Sequence, residues 1–289
     1  MDTPADVSGK RMIVTGATDG IGRAAVRALA AAGAELTIVA RNPAKARATV
    51  AEIAAARPGG QVDVVIADLS VQADVRRAAA EIAARYPRVD VLINNAGAMY
   101  SPRSVTADRI EMTWAVNHLA PFLLTTLLLD RLKASAPSRV VTTSSAAHIG
   151  AIIPFDDLNA ERGYRSFNRY GQTKLANILF TTGLARRVGG SGVTANCYHP
   201  GFVATRFNRN NGVLMSLGMM LAKPFARTPE KGAETLVWLA TAPEAATMTG
   251  GYFFDRTLTT LSLAAQDTDW SERLWQISEE QVAASAPVR

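Results

Sequence analysis

The sequence predicts an α/β fold in which a doubly wound parallel sheet of about seven strands carries helices on both faces. Strand-like and helix-like segments alternate four times before residue 97, a pattern typical of parallel sheets with right-handed crossovers. A glycine-rich turn joins the first strand to the first helix, where the backbone has to reverse sharply. Because no linker, internal repeat or low-complexity tract interrupts the chain, residues 1–289 are predicted to form one domain.

The strands are predicted from short apolar runs and the helices from apolar residues at helical spacing. The predicted strands are residues 10–15, 35–40, 61–67, 89–93, 138–143, 193–198 and 250–254. The predicted helices are 23–32, 43–57, 71–86, 106–134, one that contains Tyr170 and ends near 187, one that begins at Pro229, and 267–282. Gly33 ends the first helix, and Thr228 caps the helix that Pro229 opens.

Composition excludes several classes of function. The 289 residues are 48% hydrophobic and 19% charged, and the net charge of +6 is scattered rather than clustered, so no nucleic-acid partner is expected. The single cysteine, Cys197, allows no internal disulfide, and no metal site is expected. The N-terminus is polar, and the longest apolar run, near residues 119–129, is shorter than the ~20 residues of a membrane span. We therefore expect a cytoplasmic protein without a membrane anchor.

The turn after the first strand has the features of a phosphate-binding loop. Gly16, Gly20 and Gly22 lie between a strand and a helix, where glycine permits close backbone approach and the helix N-terminus offers free N–H groups to a pyrophosphate. The spacing is GxxxGxG rather than the commoner GxGxxG. An ordinary turn between a strand and a helix is the alternative interpretation.

Arg41, directly after the second strand, indicates which dinucleotide this loop would hold. An acidic residue here would bind a ribose 2′-hydroxyl, whereas an arginine suits a 2′-phosphate. Because residues 39–42 contain no Asp or Glu, NADP(H) is predicted in preference to NAD(H). Asp19 adds negative charge in the glycine loop and weighs against this preference.

Tyr170 and Lys174 are four residues apart and lie on one face of the predicted helix. A lysine charge beside a phenol favours the phenolate, so the pKa of Tyr170 is expected to fall below its usual value of about 10. Such a phenol can exchange protons near neutral pH, as hydride-transfer chemistry requires. A surface tyrosine and lysine on an amphipathic helix are the alternative, since a YxxxK spacing alone is weak evidence.

The order and spacing of five features resemble the short-chain dehydrogenase/reductase family over nearly the whole chain. These are the glycine loop from Thr15 to Gly22, Asn94-Asn95-Ala96-Gly97, Asn117, Ser145, and Tyr170 with Lys174. The chain is most similar to the retinol-dehydrogenase-like branch. That similarity rests on Ser144-Ser-Ala-Ala-His148, Ile153-Pro-Phe-Asp-Asp157, Lys174-Leu-Ala-Asn177, His199-Pro-Gly201, Glu272-Arg-Leu-Trp275 and the 25-residue separation of Ser145 from Tyr170.

The resemblance implies a Rossmann-type domain and a role for each motif residue. Tyr170 would exchange a proton with the substrate oxygen, Ser145 would hydrogen-bond that oxygen, and Lys174 would hold the nicotinamide ribose. Asn117 would hold a water that links Lys174 to solvent. The implied cofactor-binding residues are Gly16, Thr18, Asp19, Gly20, Ile21, Gly22, Arg41, Asp68, Leu69, Asn95, Ala96, Gly97, Tyr170, Lys174, Pro200, Gly201, Val203 and Thr205. Ser144 is the rival of Ser145, and a homo-oligomer is a candidate state.

The predicted activity is that of an NADP(H)-dependent carbonyl reductase or alcohol dehydrogenase acting on a hydrophobic small molecule. The substrate is expected between the segments 146–167 and 202–227, with the tail 255–289 nearby. The Leu- and Met-rich residues 213–221 would be either core or a cover over an apolar ligand, and His118, His148 and His199 are expected to be structural. A cofactor-binding regulator without turnover, or an epimerase or dehydratase using the same Tyr-Lys pair, are the alternatives.

Overall fold

A computed structural model describes residues 4–57, 59–60, 62–203 and 226–284. Its strands are β1 (Arg11–Thr15), β2 (Glu35–Ala40), β3 (Val62–Ile66), β4 (Val91–Asn94), β5 (Ser138–Thr143), β6 (Val193–Tyr198), β7 (Tyr252–Phe254) and β8 (Thr257–Leu258). Its helices are α1 (Gly20–Ala31), α2 (Pro43–Ala56), α3 (Gln72–Arg85), α4 (Met112–Trp114), α5 (Ala120–Ala134), α6 (Ser166–Arg187), α7 (Pro229–Thr241), α8 (Leu263–Gln266) and α9 (Thr268–Ala283). A π-helical turn (Ala115–Leu119) joins α4 to α5, and a 3₁₀ turn (Ala146–His148) follows β5.

The strands form one sheet in the order β3-β2-β1-β4-β5-β6-β7-β8. Every neighbouring pair from β3 to β7 is parallel, which confirms the predicted doubly wound α/β fold. The order reverses between β1 and β4, because the chain first winds outward to β3 and then returns to the other side of β1. In such sheets ligands bind in the crevice at the carboxyl ends of the strands beside this reversal.

Helices cover both faces of the sheet, as predicted. On one face, α1 and α7 pack against apolar side chains such as Met12 and Ile38, which are fully buried. On the other face, α3, α5 and α6 bury a second cluster that includes Leu128 and Leu175. Burial on both faces explains why the strands read as nearly continuous apolar runs rather than as alternating ones.

The described sheet has one strand more than the seven segments predicted from the sequence. In the described part of the chain, β8 adds an eighth strand, which pairs antiparallel with β7. The hairpin turns at Asp255 and Arg256, whose φ angles are 47° and 62°. Two consecutive positive φ angles define the tight turn that Asn-Gly usually forms, and an Asp-Arg pair gave no such signal.

The predicted helix over residues 106–134 begins six residues later than expected and is not uniform. Residue 106 lies in a short antiparallel contact that pairs Val105 with Glu111, and the Glu111 carboxylate caps α4 by accepting the N–H groups of Thr113 and Trp114. The run Met112–Ala134 is 23 residues long and apolar enough to cross a membrane by length and composition, and 72% of its most apolar window is buried inside the protein. This apolar helical run is therefore longer than the run near residues 119–129 that was recognised in the sequence.

The C-terminal helix α9 packs along α6, in the position of the predicted tail helix. Trp275 lies 5.0 Å from Phe122 of α5 and 5.9 Å from Phe180 of α6, measured between ring centroids. Ser278 contacts buried His118 at 2.9 Å, and burial lowers the pKa of His118 to about 3. His118 is thus a neutral, structural residue, as expected from the sequence.

Candidate active site

The glycine loop and the end of β4 meet at the sheet reversal, where the backbone approach is close. A Cβ atom on Gly16 would lie 2.7 Å from the Cα of Ala96, and one on Gly22 would lie 2.1 Å from the carbonyl oxygen of Gly16. The Asn95 side chain donates to the carbonyl of Gly16 at 3.2 Å, and the Asp19 carboxylate caps α1 by accepting the N–H of Gly20 at 2.9 Å. Only glycine fits at Gly16 and Gly22, so the turn can pack tightly against the end of β4.

A cavity of about 380 Å³ opens at this point, and twelve of the predicted cofactor-binding residues line it. They are Gly16, Thr18, Asp19, Gly20, Ile21, Gly22, Arg41, Asp68, Leu69, Asn95, Ala96 and Gly97. Sequence analysis missed Lys45, Tyr100 and Val116 in the same wall. Asn42 caps α2 by accepting the Lys45 N–H, which places Lys45 in the first turn of that helix, close to Arg41. The capping residue Asn42 followed by Pro43 is the sequence signal from which the position of Lys45 could have been recognised.

Two cations stand where a ribose phosphate is expected. Arg41 is 68% exposed and lies 3.7 Å from the carboxylate of Asp68, and Lys45 lines the same cavity. Burial raises the pKa of the neighbouring Tyr100 phenol, and Arg41 opposes that rise. The residues present therefore fit a dinucleotide, with a glycine cradle at one end and two positive side chains at the other.

Ser145 and Tyr170 come together at the end of β5. The hydroxyl of Ser145 lies near the Tyr170 phenol, where it favours the phenolate and so lowers the pKa of Tyr170, and it accepts the N–H of Ala147 at 3.2 Å. Its rival Ser144 is 1% exposed and donates to the carbonyl of Lys174 at 2.7 Å. Ser144 is thus committed to the backbone of α6, whereas Ser145 faces the phenol.

Lys174 and Asn117 converge on Gly97, although the three lie far apart in the chain. A Cβ atom on Gly97 would lie 3.3 Å from Lys174 Nζ and 3.4 Å from Asn117 Oδ1. Lys174 is 2% exposed, and its Nζ donates to the carbonyl of Thr143 at 3.1 Å. The Asn117 amide bonds both backbone groups of Ala98 and donates to Thr173. The site therefore joins β4, β5, α6 and the π-helical turn.

The expectation that Lys174 lowers the pKa of Tyr170 was wrong. Burial raises the pKa of Tyr170 to about 12, and the hydrogen bond to Ser145 opposes that rise only in part. Burial likewise lowers the pKa of Lys174 to about 8. Lys174 Nζ lies 5.4 Å from the centre of the Tyr170 ring. Desolvation penalises both charged forms, and it outweighs the attraction that the sequence spacing suggested.

The predicted nicotinamide-side segment follows β6 and lies near the glycine loop. Gly232 of α7 contacts both Val203 and Ile21: a Cβ atom there would lie 2.7 Å and 3.2 Å from their side chains. The N–H of Gly201 donates to His199 Nδ1 at 3.2 Å, which fixes the turn after Pro200. Thr205 lies outside the described residues, as do residues 213–221.

Two histidines lie closer to the site than sequence analysis indicated. The Nδ1 of buried His148 is 2.8 Å from the carbonyl oxygen of Ser145, so His148 helps to fix the turn that carries Ser145. The ring of His199 stacks on Phe254 with centroids 4.2 Å apart, and burial lowers its pKa to about 4. Both contacts support the backbone beside the site.

Large apolar side chains are exposed on the segments that flank Ser145 and Tyr170. Ile149, Ile152 and Phe167 are 69%, 66% and 65% exposed, and Phe202, after β6, is 45% exposed. Single exposed apolar residues are normal, but a group on segments that border one site marks a surface for an apolar ligand or partner.

Comparison with known proteins agrees with this geometry. Residues 10–213 match the model of the short chain dehydrogenase family. The chain is 42% identical to retinol dehydrogenase 12 of Mus musculus over 276 residues, covering 96% of this chain and 87% of that protein. It is also 42% identical over 279 residues to a Streptomyces sp. (strain C5) protein provisionally named daunorubicin C-13 ketoreductase DnrU, covering 96% and 94%.

A solved structure extends the likeness to the fold. A short chain dehydrogenase from Burkholderia cenocepacia J2315 in complex with NADP has a TM-score of 0.69 and 28% identity, covering 86% of this chain and 96% of that one. The match between motifs, fold and relatives is consistent over most of the chain. This protein therefore belongs to the short-chain dehydrogenase/reductase family, in its retinol-dehydrogenase-like branch, and is an NAD(P)-dependent oxidoreductase of alcohols or carbonyls.

Proposed function

We propose that this protein interconverts a carbonyl and an alcohol on a hydrophobic small molecule with NADP(H), and that Tyr170 is its general acid and base. The observation that carries this proposal is the convergence of Ser145, Tyr170 and Lys174 beside the glycine cradle, with Lys174 Nζ 3.3 Å from the Cβ position of Gly97. A bound nicotinamide dinucleotide supplies or accepts the hydride. The protein has to position the substrate oxygen and exchange one proton with it.

Tyr170 is suited to donate that proton during reduction. Its pKa of about 12 keeps the phenol protonated at neutral pH, which is the form a general acid needs. The pKa of Lys174, at about 8, allows this lysine to change its protonation state close to neutral pH. Lys174 can therefore return a proton towards Tyr170 after each turnover.

Ser145 and the π-helical turn have supporting roles in the proposal. The Ser145 hydroxyl, which lies near the Tyr170 phenol, would donate to the substrate oxygen as negative charge develops there. Both hydrogens of the Asn117 amide are used by Ala98 and Thr173. We therefore propose that Asn117 holds the proton-relay water through an oxygen atom, either its Oδ1 or its main-chain carbonyl.

The preference for NADP(H) rests on Arg41 and Lys45. Both line the cavity at the end of β2, where the 2′-phosphate of a bound NADP(H) would lie, and charge-assisted hydrogen bonds to phosphate are strong. The Burkholderia cenocepacia relative was solved with NADP, which is compatible with this preference. Arg41 would have to leave its ion pair with Asp68, which is 3.7 Å away, in order to bind the phosphate.

A hydrophobic substrate is supported by the exposed apolar residues Ile149, Ile152, Phe167 and Phe202. The names of two relatives mention retinol and daunorubicin, and for this chain we propose a small molecule with an apolar ring system. A cytoplasmic location and a homo-oligomeric state stay predictions from the sequence.

The decisive experiment follows NADPH and NADH consumption with a panel of aldehydes and ketones, and cofactor reduction with the matching alcohols. We expect turnover with apolar carbonyls, and a higher kcat/KM for NADPH than for NADH. Tight NADPH binding without turnover of any compound in the panel would favour the alternative that the protein is a cofactor-binding regulator. Product formation without net cofactor consumption would favour the epimerase or dehydratase.

A further inference from the structure

A buried ion pair lies directly beside the proposed proton donor. Arg169, the residue before Tyr170, places its Nε 2.7 Å from the Oε2 of Glu111. The two side chains are 1% and 0% exposed. Removing both charges from water is costly, and an apolar pair of similar volume is often at least as stable. A pair retained at this position therefore needs an explanation other than stability.

The pair joins three parts of the chain. Glu111 caps α4 through the N–H groups of Thr113 and Trp114, at 2.8 and 2.9 Å. Arg169, on α6, also donates to the carbonyl of Leu158 and to the side chain of Gln172. The Arg169 guanidinium thus holds the proposed substrate segment 146–167 against two helical runs: the run from α4 to α5, and α6.

Neighbouring hydrogen bonds extend the same junction. The Asn159 amide oxygen accepts the N–H of Glu111 at 3.1 Å, and the Asn159 carbonyl accepts from Arg103 at 2.9 Å. Tyr164 donates to the carbonyl of Tyr100 at 2.6 Å and contacts Thr113 at 3.1 Å. Residues 158–164 are therefore fixed through the pair and its surroundings to the segment that leaves β4.

The junction also fixes the proposed catalytic residues relative to each other. Asn117 follows Glu111 along the same helical run, and Tyr170 follows Arg169 on α6. The two runs are joined a second time by the hydrogen bond from Asn117 to Thr173, at 3.1 Å. With two fixed crossing points, neither run can slide without breaking one of them.

We infer that Arg169 and Glu111 are positioning residues, which hold Tyr170 and the substrate segment in the geometry needed for hydride transfer. Neither side chain touches the proposed reacting atoms. The inference rests on the proposed function, because Tyr170 is its proton donor. Loss of the pair would lower kcat more than it changes cofactor affinity, since the glycine cradle lies on β1 and α1.

The test compares wild type, Arg169→Met and the double variant Glu111→Leu/Arg169→Met for kcat, KM and NADPH affinity. We expect Arg169→Met to lose about 100-fold in kcat, the cost of a displacement of roughly 1 Å at a reacting centre, with NADPH affinity nearly unchanged. The double variant carries no unpaired buried charge but lacks the carboxylate that caps α4, so it should recover part of the urea midpoint and none of the lost kcat. Arg85→Gln is the control, since it removes an exposed ion pair with Glu81 on α3, outside both the glycine loop and the substrate segment, and it should leave kcat unchanged.

Three results would overturn the inference: a folded Arg169→Met variant with kcat near wild type, recovery of kcat in the double variant, or a parallel loss of kcat and NADPH affinity. If Arg169→Met does not fold, Arg169→Lys carries the test. Lysine keeps the charge but cannot reach Glu111, Leu158 and Gln172 at once, so it should fold and still lose kcat.

Hydrogen exchange separates this inference from the proposed function. Without Arg169, amides in residues 149–165 should exchange faster while those of α1 do not change. Absence of carbonyl turnover in the wild type would refute the proposed function alone. Unchanged exchange in residues 149–165 would refute the role of the ion pair.

Discussion

The two walls of the site are built by different means. On the cofactor side, β1, α1 and the end of β4 approach so closely that Gly16 and Gly22 cannot carry a Cβ atom. On the substrate side, residues 149–165 have little regular structure and are fixed by side chains, chiefly the buried pair of Glu111 and Arg169. Backbone sterics shape one wall, and long-range polar contacts shape the other.

The difference predicts distinct consequences of mutation. A wall shaped by backbone contact tolerates no added atoms, so substitutions there should impair cofactor binding and folding together. A wall held by side chains can loosen without unfolding the sheet, so substitutions there should reduce turnover first. Exposed Ile149 and Ile152 on that wall leave room for ligands of varied shape.

The largest expected effect on the substrate side is that of Ser145→Ala. Loss of one donor to a developing oxyanion lowers kcat by about 10²–10³-fold, with little change in the urea midpoint. Ser144→Ala should do the reverse, since it removes a buried hydrogen bond to the Lys174 carbonyl and costs about 1–3 kcal/mol of unfolding free energy. Steady-state kinetics and urea unfolding of both variants provide the check. If Ser144→Ala lowered kcat and Ser145→Ala did not, Ser144 rather than Ser145 would be the donor to the substrate oxygen.

The cofactor side should respond most strongly to Gly22→Ala. The added Cβ would lie 2.5 Å from the Asn95 side chain as well as against Gly16, and such overpacking costs about 1–3 kcal/mol. We expect a lower urea midpoint and NADPH affinity reduced by about tenfold or more, which corresponds to ~1.4 kcal/mol.

Gly163→Ala is its control on the substrate side. No atom lies within 4 Å of the Cβ position there, so the free energy of unfolding should change by less than about 1 kcal/mol. Equal losses in both variants, measured by urea unfolding, would remove the distinction between the two walls.

Arg41→Ala should have a moderate and selective effect. Loss of one charge-assisted hydrogen bond to the 2′-phosphate costs about 1.5–3 kcal/mol, which is at least about a tenfold weakening of NADPH binding. NADH binding should hardly change. Fluorescence titration of both cofactors gives the ratio, and Lys45→Ala should shift it in the same direction. An unchanged ratio in both variants would exclude NADP preference through these residues.

A further expected effect is a pH dependence of stability from Lys174. Burial lowers the pKa of Lys174 in the folded protein from 10.5 to about 8. Between these values the unfolded chain binds the extra proton, so wild-type stability rises with pH, by up to about 1.4 kcal/mol for each pH unit. Urea unfolding of wild type and Lys174→Met between pH ~8 and ~10 should show this rise only in wild type. A flat difference would mean that Lys174 keeps its ordinary pKa.

Local sequence signals were enough to predict the cofactor side. The strands Glu35–Ala40, Ser138–Thr143 and Val193–Tyr198 have the predicted bounds, because apolar runs between turn residues define buried strands. The glycine loop was recognisable because its conformation depends only on adjacent residues. Lys45 was missed only because the helix cap at Asn42 was not used to orient it.

The remaining features depend on contacts that no local pattern encodes. Glu111 and Arg169 are 58 residues apart, and neither spacing nor composition indicates that they meet. The raised pKa of Tyr170 results from burial, which a motif does not reveal. The π-helical turn around Asn117 likewise reads as ordinary helix, because its apolar spacing is helical.

The measurement that tests the central claim most directly is a single turnover of Tyr170→Phe with bound NADPH and the best carbonyl of the panel. The phenyl ring keeps the packing but lacks the proton, so hydride transfer should slow by about 10²–10⁴-fold, the usual contribution of a general acid. NADPH affinity in the same variant should stay close to that of wild type. Hydride transfer at a rate near that of wild type would show that Tyr170 is not the proton donor.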